Sequence, residues 1–101
     1  MQMIEEGNTP PAIFVANDIM ALGVLDALKK NSIQVPEQTK VIGFDNIEMA
    51  SWPAYQLTTW EQPIDEMIEA TLAYLLAEIA EYTGAAETFE VDGHLIERAT
   101  T

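Results

Sequence analysis

Two short apolar runs bracket one segment of helical period, and this arrangement restricts the chain more than any other feature. Ala12-Ile13-Phe14-Val15-Ala16 is a continuous run of strand length, and Lys40-Val41-Ile42-Gly43-Phe44 contains a second. Uninterrupted apolar strands suit a sheet covered on both faces, as parallel sheets usually are. Between the runs, Asn17 and Asp18 both offer N-caps, and residues 19–30 follow at helical period. Lys29 and Lys30 fall in the last turn, where positive charge complements the helix dipole, and Asn31 is expected to take the left-handed stop. Strand, helix and strand at this spacing make a βαβ unit, so the two strands are predicted to be parallel with a right-handed crossover.

The flanking segments are shorter signals. Residues 1–7 resemble the last turns of a helix ended by Gly7, with Asn8-Thr9-Pro10-Pro11 as a breaker. Residues 46–57 are irregular, and Leu57-Thr58-Thr59-Trp60 is a short β-prone stretch. Pro63 suits a first helical position, and the spacing predicts a helix over 63–82 that Gly84 ends. Its broad apolar face includes seven large side chains: Ile64, Met67, Ile68, Leu72, Leu75, Leu76 and Ile79. The tail offers residues 88–91 and 95–98 as short strands around an Asp92-Gly93 turn.

That apolar face is awkward for a free-standing domain. Each such side chain contributes about 1.5–3 kcal/mol when buried, and two strands with one helix give it little to pack against. A stripe of this size calls for further protein, from more chain or a second copy. The chain is therefore read as an incomplete portion of a larger α/β domain.

Charge and composition exclude several classes of function. Seventeen acidic residues oppose four basic ones, a net charge of −13, and nucleic-acid affinity depends on Lys and Arg displacing counterions. Direct DNA contact is not expected from this segment. With no cysteine there is neither disulfide nor thiol catalysis, and the single His94 makes a His-based metal site unexpected. Gly23 and Gly43 stand alone, so no phosphate loop is present, and Ser32 and Ser51 lack a nucleophile elbow. No enzyme activity, metal or cofactor is expected. No apolar run reaches the ~20 residues of a membrane span, and residues 1–7 do not read as a secretory signal, which points to a cytoplasmic protein.

Ligands of open α/β sheets bind beyond the carboxyl ends of the strands. Asn17 follows the first predicted strand there and Asp45 the second, an amide and a carboxylate suited to a hydroxyl-rich or amide-bearing molecule. The plainer alternative stays open: Asn17 or Asp18 caps the helix, and Asp45-Asn46 makes a turn. Phe44, Trp52 and Trp60 offer an apolar wall to a ligand or belong to core or interface. Thr58, Thr59 and Gln62 either line a cleft or cross the surface.

Taken together, these segments resemble a known family. The order and spacing of Ala16-Asn17-Asp18-Ile19-Met20-Ala21-Leu22-Gly23, Val35-Pro36, Val41-Ile42-Gly43-Phe44-Asp45-Asn46, Leu57-Thr58-Thr59 and Gln62-Pro63 are similar to those of the LacI/GalR bacterial repressors, and Leu95-Ile96-Glu97-Arg98 resembles that family's last strand. The resemblance covers about residues 10–100. It implies part of a periplasmic-binding-protein-like three-layer α/β/α effector domain with a parallel sheet and a cleft between two subdomains. By that likeness, residues 1–57 are part of the C-terminal subdomain, 58–63 a hinge crossing, 64–82 a helix of the N-terminal subdomain and 88–101 the returning strand. Asp45, Asn17, Gln62 and Trp60 are then ligand-binding candidates. Met20, Val24, Leu25, Met49 and Trp52 are homodimer-contact candidates, with ordinary core as their alternative.

The function implied is sensing of a small effector, commonly a sugar or derivative, and dimerisation, with DNA bound only through an N-terminal domain that this sequence lacks. Two rival readings remain: part of a transporter's sugar-binding protein, or a stand-alone interaction module. The family's effector-anchoring arginine has no counterpart in the sequence, where Arg98 lies instead in the closing strand.

Overall fold

A computed structural model describes residues 2–101. The chain divides into two compact units, one running to Glu61 and resuming at His94–Thr101, the other spanning Gln62–Gly93.

The first unit opens with α1 (Gln2–Glu5), and Gly7 supplies the left-handed residue after it at φ 71°. Four strands follow in one sheet: β1 (Ala12–Phe14), β2 (Lys40–Asp45), β3 (Thr58–Glu61) and β4 (His94–Ile96), in spatial order β1-β2-β3-β4. β1 and β2 are parallel, with Phe14 opposite Ile42, so the predicted βαβ unit is formed. β3 adds a third parallel strand, with Gly43 opposite Thr59 and Asp45 opposite Glu61. β4 runs antiparallel to β3, pairing Trp60 with Leu95. The sheet is thus mostly parallel, as expected, with β4 antiparallel at its edge. Residues 88–91 form no strand, so the tail pairs with β3 instead of folding back around Asp92-Gly93.

α2 (Asp18–Lys30) is the crossover helix. Its stop differs from expectation. Asn31 keeps φ at −97° and Ser32 takes the left-handed conformation at 58°, while the Asn31 side-chain amide donates to Ala27 O at 2.8 Å. Ala21, Leu22, Leu25 and Leu28 of α2 close over Val15, Val41 and Leu57 to make the core, with Ala50 from the short 3-10 turn Glu48–Ser51. Alternation along the strands sends Val41, Gly43 and Thr59 toward α2 and Phe14, Ile42, Phe44 and Trp60 to the opposite face. That opposite face is only partly covered: Phe14 is 68% exposed, Trp60 and Leu95 are just under half exposed, and Ile42 and Phe44 are half-buried. As expected of a portion of a three-layer α/β/α domain, the described residues of this unit supply the sheet and the α2 layer on one of its faces.

The second unit is dominated by α3 (Ile64–Ala80), with Pro63 at the N-cap, one place earlier than predicted. The helix buries no residue, and its seven large apolar side chains are 42 to 72% exposed. Tyr74 packs edge-on against Phe89 and donates from its hydroxyl to Ala85 O, which ties the following segment to the helix. Desolvation, and then the nearby Glu78 and Glu87 carboxylates, raise the Tyr74 pKa above its ordinary value.

Candidate functional site

Because β1, β2 and β3 are parallel, their carboxyl ends share one rim of the sheet. Asn17 lies just beyond β1, where Val15 N donates to Ile42 O at 2.8 Å, and Asp45 closes β2. The two residues singled out from sequence therefore fall at the same edge. Asn17 also caps α2, its side-chain oxygen accepting from Met20 N at 2.9 Å, so the plainer reading of Asn17 holds alongside any ligand role.

The backbone at Asp45 is unusual. Asp45 has φ 132° and Asn46 φ 60°, two consecutive residues in a region that L side chains rarely enter. Asp and Asn tolerate it best, yet the conformation persists only where surroundings over-determine it. The surroundings are polar and well paired. Asn46 N donates to Thr59 Oγ1 at 3.3 Å, and Ile47 N to Asp18 Oδ2 at 3.0 Å. The Asn46 side chain donates to Glu61 and accepts from Arg98 Nη2 at 2.8 Å. Arg98 Nη1 meanwhile donates to Leu57 O, also at 2.8 Å. His94 Nε2 stands 3.6 Å from Glu61 Oε1, an exposed pair that contributes little.

Asp18 was expected only as a cap. It is fully buried, and its Oδ1 accepts from the Thr59 hydroxyl at 2.6 Å. Gly43 makes the room: a Cβ there would collide with Asp18 Oδ1 and come within 2.9 Å of Leu57 Cδ2. The available signal was the isolated glycine in an apolar strand, which marks a close approach. Arg98 and Asn46 carried no such signal, since only tertiary pairing of β3 with the tail unites them.

The other candidates divide. Trp60 lies on β3 on the face away from α2, and Gln62 opens the second unit. Met20 and Trp52 are 56% and 47% exposed, and Val24 and Met49 are half-buried against the core. Leu25, on α2, belongs to the core cluster. A cleft of about 480 Å³ lies between the end of α2 and residues 53–56, at the opposite end of the sheet, and of the candidates only Leu25 touches it. Among the described residues there is no group of three or more His, Asp or Glu placed to hold a metal, and no helix long and apolar enough to cross a membrane.

Residues 1–101 match the model of a periplasmic binding protein-like domain. The HTH-type transcriptional repressor PurR of Vibrio atlanticus and the ribose operon repressor of Escherichia coli are each 37% identical over 99 residues, covering 98% of this chain. The chain spans about 30% of the length of these curated relatives, both named as repressors and neither as an enzyme. The lac repressor dimer bound to operator and an anti-inducer superposes with TM-score 0.87 at 31% identity, covering 99% of this chain and 35% of that one. A LacI family regulator of Enterococcus faecalis with bound ribose gives TM-score 0.84 at 30% identity, over 99% and 38% of the two chains.

Proposed function

Because this chain belongs to the periplasmic-binding-protein-like domain family, in the form found in LacI-type transcriptional regulators, we propose that it is an effector-sensing and dimerising segment of such a regulator. The observation that carries the reading is the shared rim: Asn17 and Asp45 at the carboxyl ends of adjacent parallel strands, with Asp45 at φ 132°. Ligands of open α/β sheets bind at that edge. The effector is a hydroxyl-rich small molecule of the sugar class, in keeping with the ribose held by one structural relative. Asp45 accepts from its hydroxyls, and Asn17 contributes the amide nitrogen that helix capping leaves over. Trp60 is assigned to the same ligand.

The chain passes between its units at Glu61–Gln62 and at Gly93–His94, and these passages are the hinge crossings of the proposal. An effector preferring one hinge angle shifts the population of the regulator, and DNA affinity changes by that differential. Met20, Val24 and Leu25 of α2 form with Met49 and Trp52 the proposed homodimer face. DNA contact belongs to other parts of the regulator, since this segment carries a net charge of −13. The site is cytoplasmic, as its role in transcription requires.

Asp45→Ala in the regulator that carries this segment tests the reading. Losing a charged hydrogen-bond acceptor weakens binding by about 1.5–3 kcal/mol, roughly ten- to a hundredfold. A panel of pentoses and hexoses, titrated while Trp fluorescence is followed, should show that loss with operator affinity unchanged. An identical titration in the variant would remove Asp45 from the site.

A further inference from the structure

The turn at the rim cannot hold itself. Asp45 and Asn46 both sit at positive φ, so the chain there relaxes unless the amides that follow are fixed. Those amides are fixed in succession. Asn46 N–H is taken by Thr59 Oγ1, and Ile47 N–H by Asp18 Oδ2. The two acceptors are themselves joined, because the Thr59 hydroxyl donates to Asp18 Oδ1 at 2.6 Å. Thr59 can bridge in this way because a hydroxyl donates one hydrogen and still accepts others. Three elements meet at the pair: the first residue of α2, the interior of β3 and the exit of β2.

The chemistry of Asp18 suits this task and little else. A fully buried carboxylate cannot reach a ligand directly, and it requires donors aimed at both oxygens. It has them, and at position 18 it also faces the positive end of the α2 dipole. Gly43, opposite Thr59 in the sheet, leaves the space into which the carboxylate fits.

We infer that Asp18 is a positioning residue for the effector rim, holding the Asp45-Asn46 turn in its left-handed form through Ile47 N–H and Thr59. The inference rests on the reading above that Asp45 meets the effector, but its geometry is tested without one. Amide hydrogen exchange and the amide–Hα couplings of Asp45 and Asn46, measured by NMR on the full chain, report the turn. In the unaltered chain Asn46 and Ile47 are protected, and the couplings give positive φ. Asp18→Asn presents one acceptor where two donors point, so exchange at both amides rises at least about tenfold relative to Val15 and Leu57, whose amides bond to Ile42 O and Ala50 O in the core. Thr59→Val reproduces the effect at Asn46, and Thr59→Ser, which keeps the hydroxyl, restores protection.

A uniform rise at all four amides marks Asp18 as merely stabilising and overturns the inference. So does rapid exchange of Asn46 and Ile47 in the unaltered chain, a result that needs no variant to fold. In the sugar titration, Asp18→Asn weakens binding as Asp45→Ala does. If only Asp45→Ala has an effect, the positioning role fails; if neither does, the effector reading fails while the exchange pattern stands.

Discussion

Gly43 and Asp18 are complementary at the level of single atoms. The glycine sits in a strand where its flexibility weakens the sheet, and only the missing Cβ lets a carboxylate lie against the strand. Gly43→Ala forces either the Asp18 side chain or Leu57 to move, and overpacking of this kind destabilises by about 1–3 kcal/mol. Urea unfolding should show that loss as a lower midpoint with an unchanged slope. Asn17 separates differently, because one residue holds two roles. Asn17→Ala removes the cap bond to Met20 N and costs about 0.5–2 kcal/mol. Asn17→Ser keeps a capping oxygen but loses the amide, so stability stays near that of the unaltered chain while sugar affinity falls. Equal losses of affinity and stability in both variants would leave Asn17 a cap alone.

Among the elements, α3 has a chemically defined stop. Glu78 accepts from Thr83 Oγ1 at 2.7 Å, from Thr83 N at 3.1 Å and from Gly84 N at 3.3 Å, closing the turn after the helix. The Thr83 side-chain bond is the largest cause holding the Glu78 pKa below the ordinary carboxylate value, followed by the Thr83 backbone bond. A carboxyl with a lowered folded pKa stabilises the fold above its unfolded pKa and loses that contribution as pH falls through the folded one. The turn should therefore open only below the ordinary Glu range. The Thr83 and Gly84 amide resonances, followed as pH is lowered from 6, should shift together at that point. Glu78→Gln, which no longer titrates, should abolish the shift. β1 illustrates a different rule. Its apolar sequence signals a strand covered twice, yet Phe14 remains open on the face away from α2, since covering depends on what else the sheet meets.

Across the whole molecule, two units with different balances of burial share one chain. The first has a closed core under α2; the second presents α3 with seven large apolar side chains exposed. Apolar faces of that size bind something, and at high concentration the available surface is a second copy of the chain. Sedimentation should show self-association of the chain, reduced by Leu72→Glu with Leu76→Glu. A compact monomer at high concentration would contradict this. In the regulator, Met20→Glu should instead weaken the dimer, because Met20 lies on the exposed side of α2.

What the sequence determined by itself is the part set by local pattern. The apolar runs and the helical period between them specify a parallel βαβ unit, and parallel strands bring Asn17 and Asp45 to one rim whatever else the chain does. What only the tertiary structure decided is how that rim is held. Asp18, Thr59 and the Asn46 amide lie at sequence separations of up to 41 residues, and their bonds exist only once β3 has docked beside β2. The same holds for the tail, whose turn signal at Asp92-Gly93 yielded to pairing with an open strand edge. Local propensity is a weak term of a few tenths of a kcal/mol to about 1 kcal/mol per residue, and a buried, fully paired polar group outweighs it.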